Sequence, residues 1–304
     1  MSKSESSSRR GPGRPPRIVT PSAPIHGIVD SPTNPSNIIE LSYFDPIVFK
    51  YLFTLLKNLK VRDIYFKFSK KSITIYTKDN INNRIKISID SKKMLNYYCK
   101  DDNTYICINR DNIQAVFINL NKTIDKISIC LEQGNDMITI MLHDNNLDKV
   151  KRRFIIISEK IPSEELLSLD KDIDDISTSA PLSFSLTTRD FKDTISDATN
   201  YGDKITIEKH GDGPLVLKFI RAHTNICAEE YNDNNKIDLT SELEDDESFI
   251  CTLHTLLLKC ISVSIVNNKV NIKCIGENKA MLSSNIGDVI SFTIIAENLT
   301  HVYN

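Results

Sequence analysis

The chain has 304 residues, of which 40% are hydrophobic, and a formal net charge of −2. That is enough apolar material for two domains of ordinary size, while no apolar run approaches the ~20 residues that crossing a bilayer requires. The charge is unevenly spread: residues 1–17 hold Lys3, Arg9, Arg10, Arg14 and Arg17 against Glu5, a net of +4, which leaves about −6 on the body.

Residues 1–37 are rich in Ser, Pro, Gly and Asn and lack periodicity, so composition predicts a disordered basic tail. Within it stands RRGPGRPPR, residues 9–17. Gly13-Arg14-Pro15 is the core of an AT-hook, a short element in which arginine enters the narrow minor groove of A·T-rich DNA. Arg10, Gly13, Arg14, Pro15 and Arg17 are the candidate minor-groove residues. A nuclear-import signal and a plain basic tail are the competing readings, and Gly11-Pro12 departs from the commonest hook spacing. No secretory leader is expected.

The ordered part opens with the strand IIELSY and a helix over 45–60, where Asp45 and Pro46 suit a helix start. Val48, Leu52, Leu55 and Leu59 fall on one helical face, Lys50, Thr54 and Lys57 on the other. The apolar period then changes to two through a series of strands, with a shorter helix at 110–120. Residues 162–180 form an acidic connector that starts at Pro162.

The second half repeats the first. A gapless shift of 143 places Leu41 on Phe184, Val48 on Phe191, Ile113 on Leu256 and Ile129 on Ile272. The expected fold is therefore α+β, two repeated domains (38–161 and 181–304), each of antiparallel sheets packed on two helices. The outward helix faces carry a modest basic excess: Lys50, Lys57 and Lys60; Arg110 and Lys122, with Asp111; Arg189 and Lys192, with Asp190, Asp193 and Asp197; Lys259. Lys with Ser and Thr suits sequence-independent phosphate contacts.

No enzyme, cofactor or metal site is expected. Gly211-Asp212-Gly213 precedes Pro214 between two strands, so it reads as a turn and not as a phosphate loop. The acidic clusters at 172–175 and 242–247 fall in connectors. The seven cysteines include no CxxC pair and read as reduced, buried thiols of an intracellular protein. The six histidines show no metal-ligand spacing.

PIVFKYLFTLLKNLK, YICINRDNIQAVF and SFSLTTRDFKDTISDATNYGDKITIE resemble the DNA sliding clamps of the proliferating-cell-nuclear-antigen type, over about residues 38–297. The likeness is nearest to the clamp-like proteins of large cytoplasmic DNA viruses of the African swine fever type. It implies a homotrimeric ring of pseudo-sixfold symmetry that encircles double-stranded DNA and acts as a processivity factor. DNA polymerase and other replication or repair proteins are the implied partners, at a viral replication site in the host cytoplasm or nucleus. By this resemblance the basic positions above line the hole, 162–180 is the interdomain connecting loop, and Leu166, Leu167, Leu169, Ile294 and Ile295 line a partner groove. Residues 152–158 of one subunit and 224–232 of the next form the subunit interface, with Phe154, Ile156, Ile226 and Cys227 in it. The alternative is a clamp fold used in late transcription, or a monomeric DNA-binding processivity factor.

Overall fold

The computed structural model describes residues 27–297 apart from 119, 122, 145–148, 159, 221–225, 232–236 and 266–268. The first half runs β1 (Asn37–Phe44), α1 (Ile47–Asn58), β2 (Asp63–Phe68), β3 (Ile73–Lys78), β4 (Arg84–Ile89), β5 (Asn96–Cys99), β6 (Thr104–Asn109), α2 (Arg110–Phe117), β7 (Ile124–Glu132), β8 (Met137–Asp144) and β9 (Lys149–Ile156). Two helices follow, α3 (Glu164–Leu167) and α4 (Leu169–Ser179). The second half runs β10 (Leu182–Thr187), α5 (Thr188–Tyr201), β11 (Lys204–His210), β12 (Leu215–Ile220), β13 (Ile226–Tyr231), β14 (Asp238–Ser241), β15 (Ser248–His254), α6 (Thr255–Ser262), β16 (Lys269–Gly276), β17 (Lys279–Ile286) and β18 (Ile290–Glu297).

The apolar periods explain these elements. Val48, Phe49, Leu52, Phe53, Leu55 and Leu56 bury one stripe of α1, as a helix on a sheet requires. In β2, Ile64, Phe66 and Phe68 point into the core and Lys67 points away. α1 ends with Lys60 in the left-handed region and Val61 N–H donating to Leu56 O at 3.0 Å, a Schellman-type stop without its usual glycine.

The strands form three antiparallel sheets: β5-β1-β7-β8-β9, β13-β12-β11-β15, and a nine-stranded sheet β14-β10-β16-β17-β18-β4-β3-β2-β6 that spans both halves. β18 pairs with β4 at the junction, Phe292 opposite Ile87 and Ile294 opposite Ile85. One apolar core lies beneath the sheets and continues from half to half. Four helices cover it as one layer in the order α2, α1, α6, α5. The inner pair meets where Cys260 Sγ approaches Asn58 O at 3.4 Å.

Three expectations are corrected. The repeat is real, but it is not gapless. Arg110 N–H donates to Arg62 O, and Thr255 N–H to Asp203 O, each at 2.9 Å. These matched bonds set α2 on α6 with a shift of 145, so buried Ile113 matches buried Leu258 and not Leu256, which is 38% exposed. Loops of unequal length absorb the difference. Second, the connector is helical and not a loop. Third, residues 27–29 belong to the fold: Val29 N–H donates to Tyr97 O and Tyr97 N–H to Gly27 O, at 2.9 and 2.8 Å, which lays them beside β5.

Candidate nucleic-acid interface and partner surfaces

The exposed face of the helix layer is chemically uneven. α1 shows Lys57, followed by Lys60, and no acid. α6 shows Lys259. α5 shows Arg189 and Lys192, but also exposed Asp193 and Asp197, and Arg189 Nε lies 3.8 Å from Asp193. Arg110 is tucked in and pairs with Asp111 at 3.0 Å. Lys50 is half-buried, and its Nζ donates to Leu120 O at 3.3 Å. Lys192 Nζ donates in the same way to Ile265 O at 3.0 Å. Lys122 lies outside the described residues, as do Arg10, Gly13, Arg14, Pro15 and Arg17. Apolar groups also reach this face: Tyr51 on α1, and Ile118 and Val263 just past the ends of α2 and α6. Residue-type counting passed over these because their chain neighbours are core residues.

The opposite face carries the connector. Leu166, Leu169 and Ile176 are buried against Tyr76, Met281 and Ile295. Arg84 binds Asp172 and, at 2.9 Å, Glu297. Lys86 pairs with Asp170 at 2.6 Å, Tyr76 OH donates to Asp170 at 2.9 Å, and Lys273 Nζ donates to Ser177 O at 2.8 Å. Burial pushes the Tyr76 phenol above its ordinary range, and the Asp170 carboxylate pushes it further. Burial alone would raise the Glu297 carboxyl, but Lys279 and Arg84 outweigh it and hold it below its ordinary 4.5.

No family model matches the chain. A protein of African swine fever virus, from an isolate of a South African tick and from one of a Kenyan pig, is in each case 30% identical to it over 295 residues, which covers 96% of this chain and 98% of the viral one. The chain belongs to the family of these African swine fever virus proteins. Its fold is that of the proliferating cell nuclear antigen (PCNA). PCNA from Thermococcus kodakaraensis superposes with a TM-score of 0.68 at 11% identity, over 85% of this chain and 99% of that one. PCNA from Entamoeba histolytica gives 0.66 at 12%, over 86% and 98%.

In this PCNA-fold chain the five residues expected to line a groove separate. Leu166, Leu169 and Ile295 are buried in one cluster with Tyr76, Ile176 and Met281. Ile294 points to the opposite face of β18, into the helix-side core, because successive strand residues alternate faces. Leu167 remains 38% exposed. A cavity of about 550 Å³ opens beside the cluster, between Lys60, Arg62, Lys78, Tyr65 and the connector residues Ser163 and Leu166.

β9 and β13 are edge strands of the five- and four-stranded sheets. Phe154 and Ile156 on β9 are 64% and 67% exposed. Lys149, Lys151, Arg152 and Arg153 are exposed beside them. β13 contains Ile226 and Cys227, whose side chains lie outside the description, then Glu229 and Glu230. Among the described residues the chain offers no group of three or more His, Cys, Asp or Glu that could hold a metal ion.

Proposed function

We propose that this protein is a DNA sliding clamp: three copies close into a ring of six similar domains, the helix layer faces a duplex in the hole, and the ring keeps a viral DNA polymerase on its template. The observation that carries this reading is the single helix layer α2-α1-α6-α5, continuous across both halves of a PCNA fold. On that layer Lys57, Lys60, Lys192 and Lys259 are exposed and read charge without reading bases. The clamp does no chemistry; it works by topology, inside the infected cell where viral DNA is copied.

The reading also assigns a role to the tail. The acid on α5 makes the helix face weakly basic, so residues 9–17, with their arginines and prolines, raise the local concentration of A·T-rich duplex. Polymerase and other replication proteins dock on the connector side, where α3 and α4 already occupy the apolar cleft; partners therefore take the flanking cavity or displace the connector.

The deciding experiment is retention on nicked circular against linear DNA after loading. A ring stays on the circle and slides off the linear form. Equal retention on both overturns the clamp and replaces it with a surface-binding factor, including the late-transcription reading.

A further inference from the structure

Each domain lays four strands side by side in the same order, β1-β7-β8-β9 in the first and β10-β16-β17-β18 in the second. Ile39 and Leu41 are buried in the core from β1 as Leu182 and Phe184 are from β10, so the residues between them point to the outer face, away from the helices. One row across that outer face runs Glu40, Cys130, Thr139, Phe154 in the first domain. The matching row in the second runs Ser183, Lys273, Met281, Ile295. In the second domain the row is covered. Met281 and Ile295 are buried with Leu166, Leu169 and Ile176 of the connector, and Lys273 Nζ donates to Ser177 O at 2.8 Å. In the first domain the row lines an open cavity of about 660 Å³. Phe154, in the place of fully buried Ile295, is 64% exposed. Side-chain size explains the hollow: Ser42, Ser128, Cys130 and Thr139 are small, while Lys126, Arg152 and Phe154 stand around them.

We infer that this hollow on the outer face of the first domain is a second helix seat, and that its occupant is a short amphipathic helix of a partner protein, with leucine or isoleucine on one face and carboxylates beside them. The seat is built within one subunit, so it does not depend on the ring reading above.

The filled seat defines the chemistry of that occupant. There an amphipathic helix lays Leu169 and Ile176 on the sheet, while its Asp170 and Asp172 bind Lys86 and Arg84. The open seat offers the same two elements. Phe154 is an exposed apolar anchor, and Lys126 and Arg152 beside the hollow make no ion pair among the described residues. Glu40 does not compete for them, because its carboxylate already accepts from Thr33 N–H at 3.1 Å, Asn37 Nδ2 at 2.8 Å and Asn96 Nδ2 at 3.1 Å. Those bonds also hold Thr33 as one wall of the cavity. Glu132 is then the one exposed acid among the lining residues. A helix laid in a groove with apolar anchors and flanking charges is a recurrent recognition mode. The two seats differ in strength. Thr139 stands where Met281 stands, so the open seat buries less apolar surface. The connector is also tethered beside its seat, whereas a partner helix arrives without that gain in effective concentration. The second domain's seat is therefore filled permanently and the first domain's reversibly.

The test titrates the full chain into a labelled synthetic peptide of residues 163–179, the connector's own sequence, and records solution mass in parallel. Saturable binding that weakens as salt rises is expected. Thr139→Arg, which fills the hollow, is expected to raise the dissociation constant about tenfold or more, and Lys126→Glu to act in the same direction. A peptide with Leu169→Ala and Ile176→Ala is expected not to bind. If both chain variants bind the peptide as wild type does, the peptide is exchanging with the tethered connector and the second seat is overturned. Absence of saturable binding overturns it as well. If the peptide binds only after removal of residues 1–26, the chain's own tail fills the hollow and the partner helix is overturned. Thr139 and Lys126 both lie off the edge strand β9, so oligomeric state and retention on circular DNA are expected to stay unchanged in these variants, and this seat and the ring reading fail by separate measurements.

Discussion

Lys50 and Lys192 make matching bonds in the two domains: each lies on the first long helix of its domain, and each donates its Nζ to a carbonyl three residues past the second, Leu120 O at 3.3 Å and Ile265 O at 3.0 Å. A lysine on one helix thereby ties down the chain just past the end of the helix packed beside it. These two lysines are therefore partly structural, while Lys57 and Lys259 are exposed on the same helix layer.

That difference separates two pairs of variants. Lys57→Glu with Lys259→Glu should cut DNA affinity and lower the slope of log affinity against log salt by about 0.9 for each phosphate that is no longer neutralised, with stability within about 0.5 kcal/mol per site. Lys50→Ala with Lys192→Ala should also destabilise the fold, by about 1 kcal/mol per hydrogen bond removed. Salt-dependent DNA binding and urea unfolding on the same proteins separate the effects. Lys67 and Lys126, on the sheet side, are the controls; Lys86 is not one, since it holds Asp170.

The connector clasp should show in single substitutions. Leu169→Ala removes a fully buried side chain and should cost about 2–5 kcal/mol, whereas exposed Leu167→Ala should change stability by no more than about 0.5 kcal/mol. Asp172→Ala strips one of the two carboxylates from Arg84 and should speed proteolysis within 164–179. Equal effects of Leu167→Ala and Leu169→Ala in urea unfolding would show that the connector is not docked as described.

Acid should loosen the same clasp. The Glu297 carboxyl is held below its ordinary 4.5 by Lys279 and Arg84, against burial. A carboxyl whose folded value is lowered stabilises fully above the unfolded value and loses that contribution as pH falls through the folded value. Stability should therefore decline as pH drops below about 4.5, and Glu297→Gln should flatten that decline. Urea midpoints across the acid range test it; an unchanged slope in the variant refutes the linkage.

Gly211 should tolerate no side chain. Its φ is +37°, and a Cβ there would lie 2.7 Å from the carbonyl carbon of Asp245. Gly211 N–H also donates to Glu247 O at 2.9 Å, and Lys209 Nζ donates to Gly211 O and, at 2.7 Å, to Gly213 O. Gly211→Ala should lower stability by about 1–3 kcal/mol, read as a shift in thermal midpoint, with no change in DNA affinity.

Removal of residues 1–26 should weaken binding to A·T-rich duplex and leave the oligomeric state unchanged. Truncation must stop there, because 27–29 pair with β5. Unchanged affinity for A·T-rich DNA would remove the tail from the proposed mechanism.

Most of the architecture was legible in the chain itself. A helical stripe such as Val48-Leu52-Leu55 and an alternation such as Ile64-Phe66-Phe68 are local consequences of where apolar side chains must go, so four helices, their flanking strands and the internal repeat could be read from residue order alone. The connector was half legible. Leu169, Ile173 and Ile176 have helical spacing, but the aspartates between them read as solvated linker until Arg84 and Lys86, more than eighty residues earlier, turned out to bind them. The remaining features depended on tertiary structure, because hydrogen-bond partners, strand registers and buried faces join residues far apart in the chain. Composition cannot tell that Lys50 and Lys192 donate to carbonyls past the end of a neighbouring helix, or that Ile294 and Ile295 part to opposite faces.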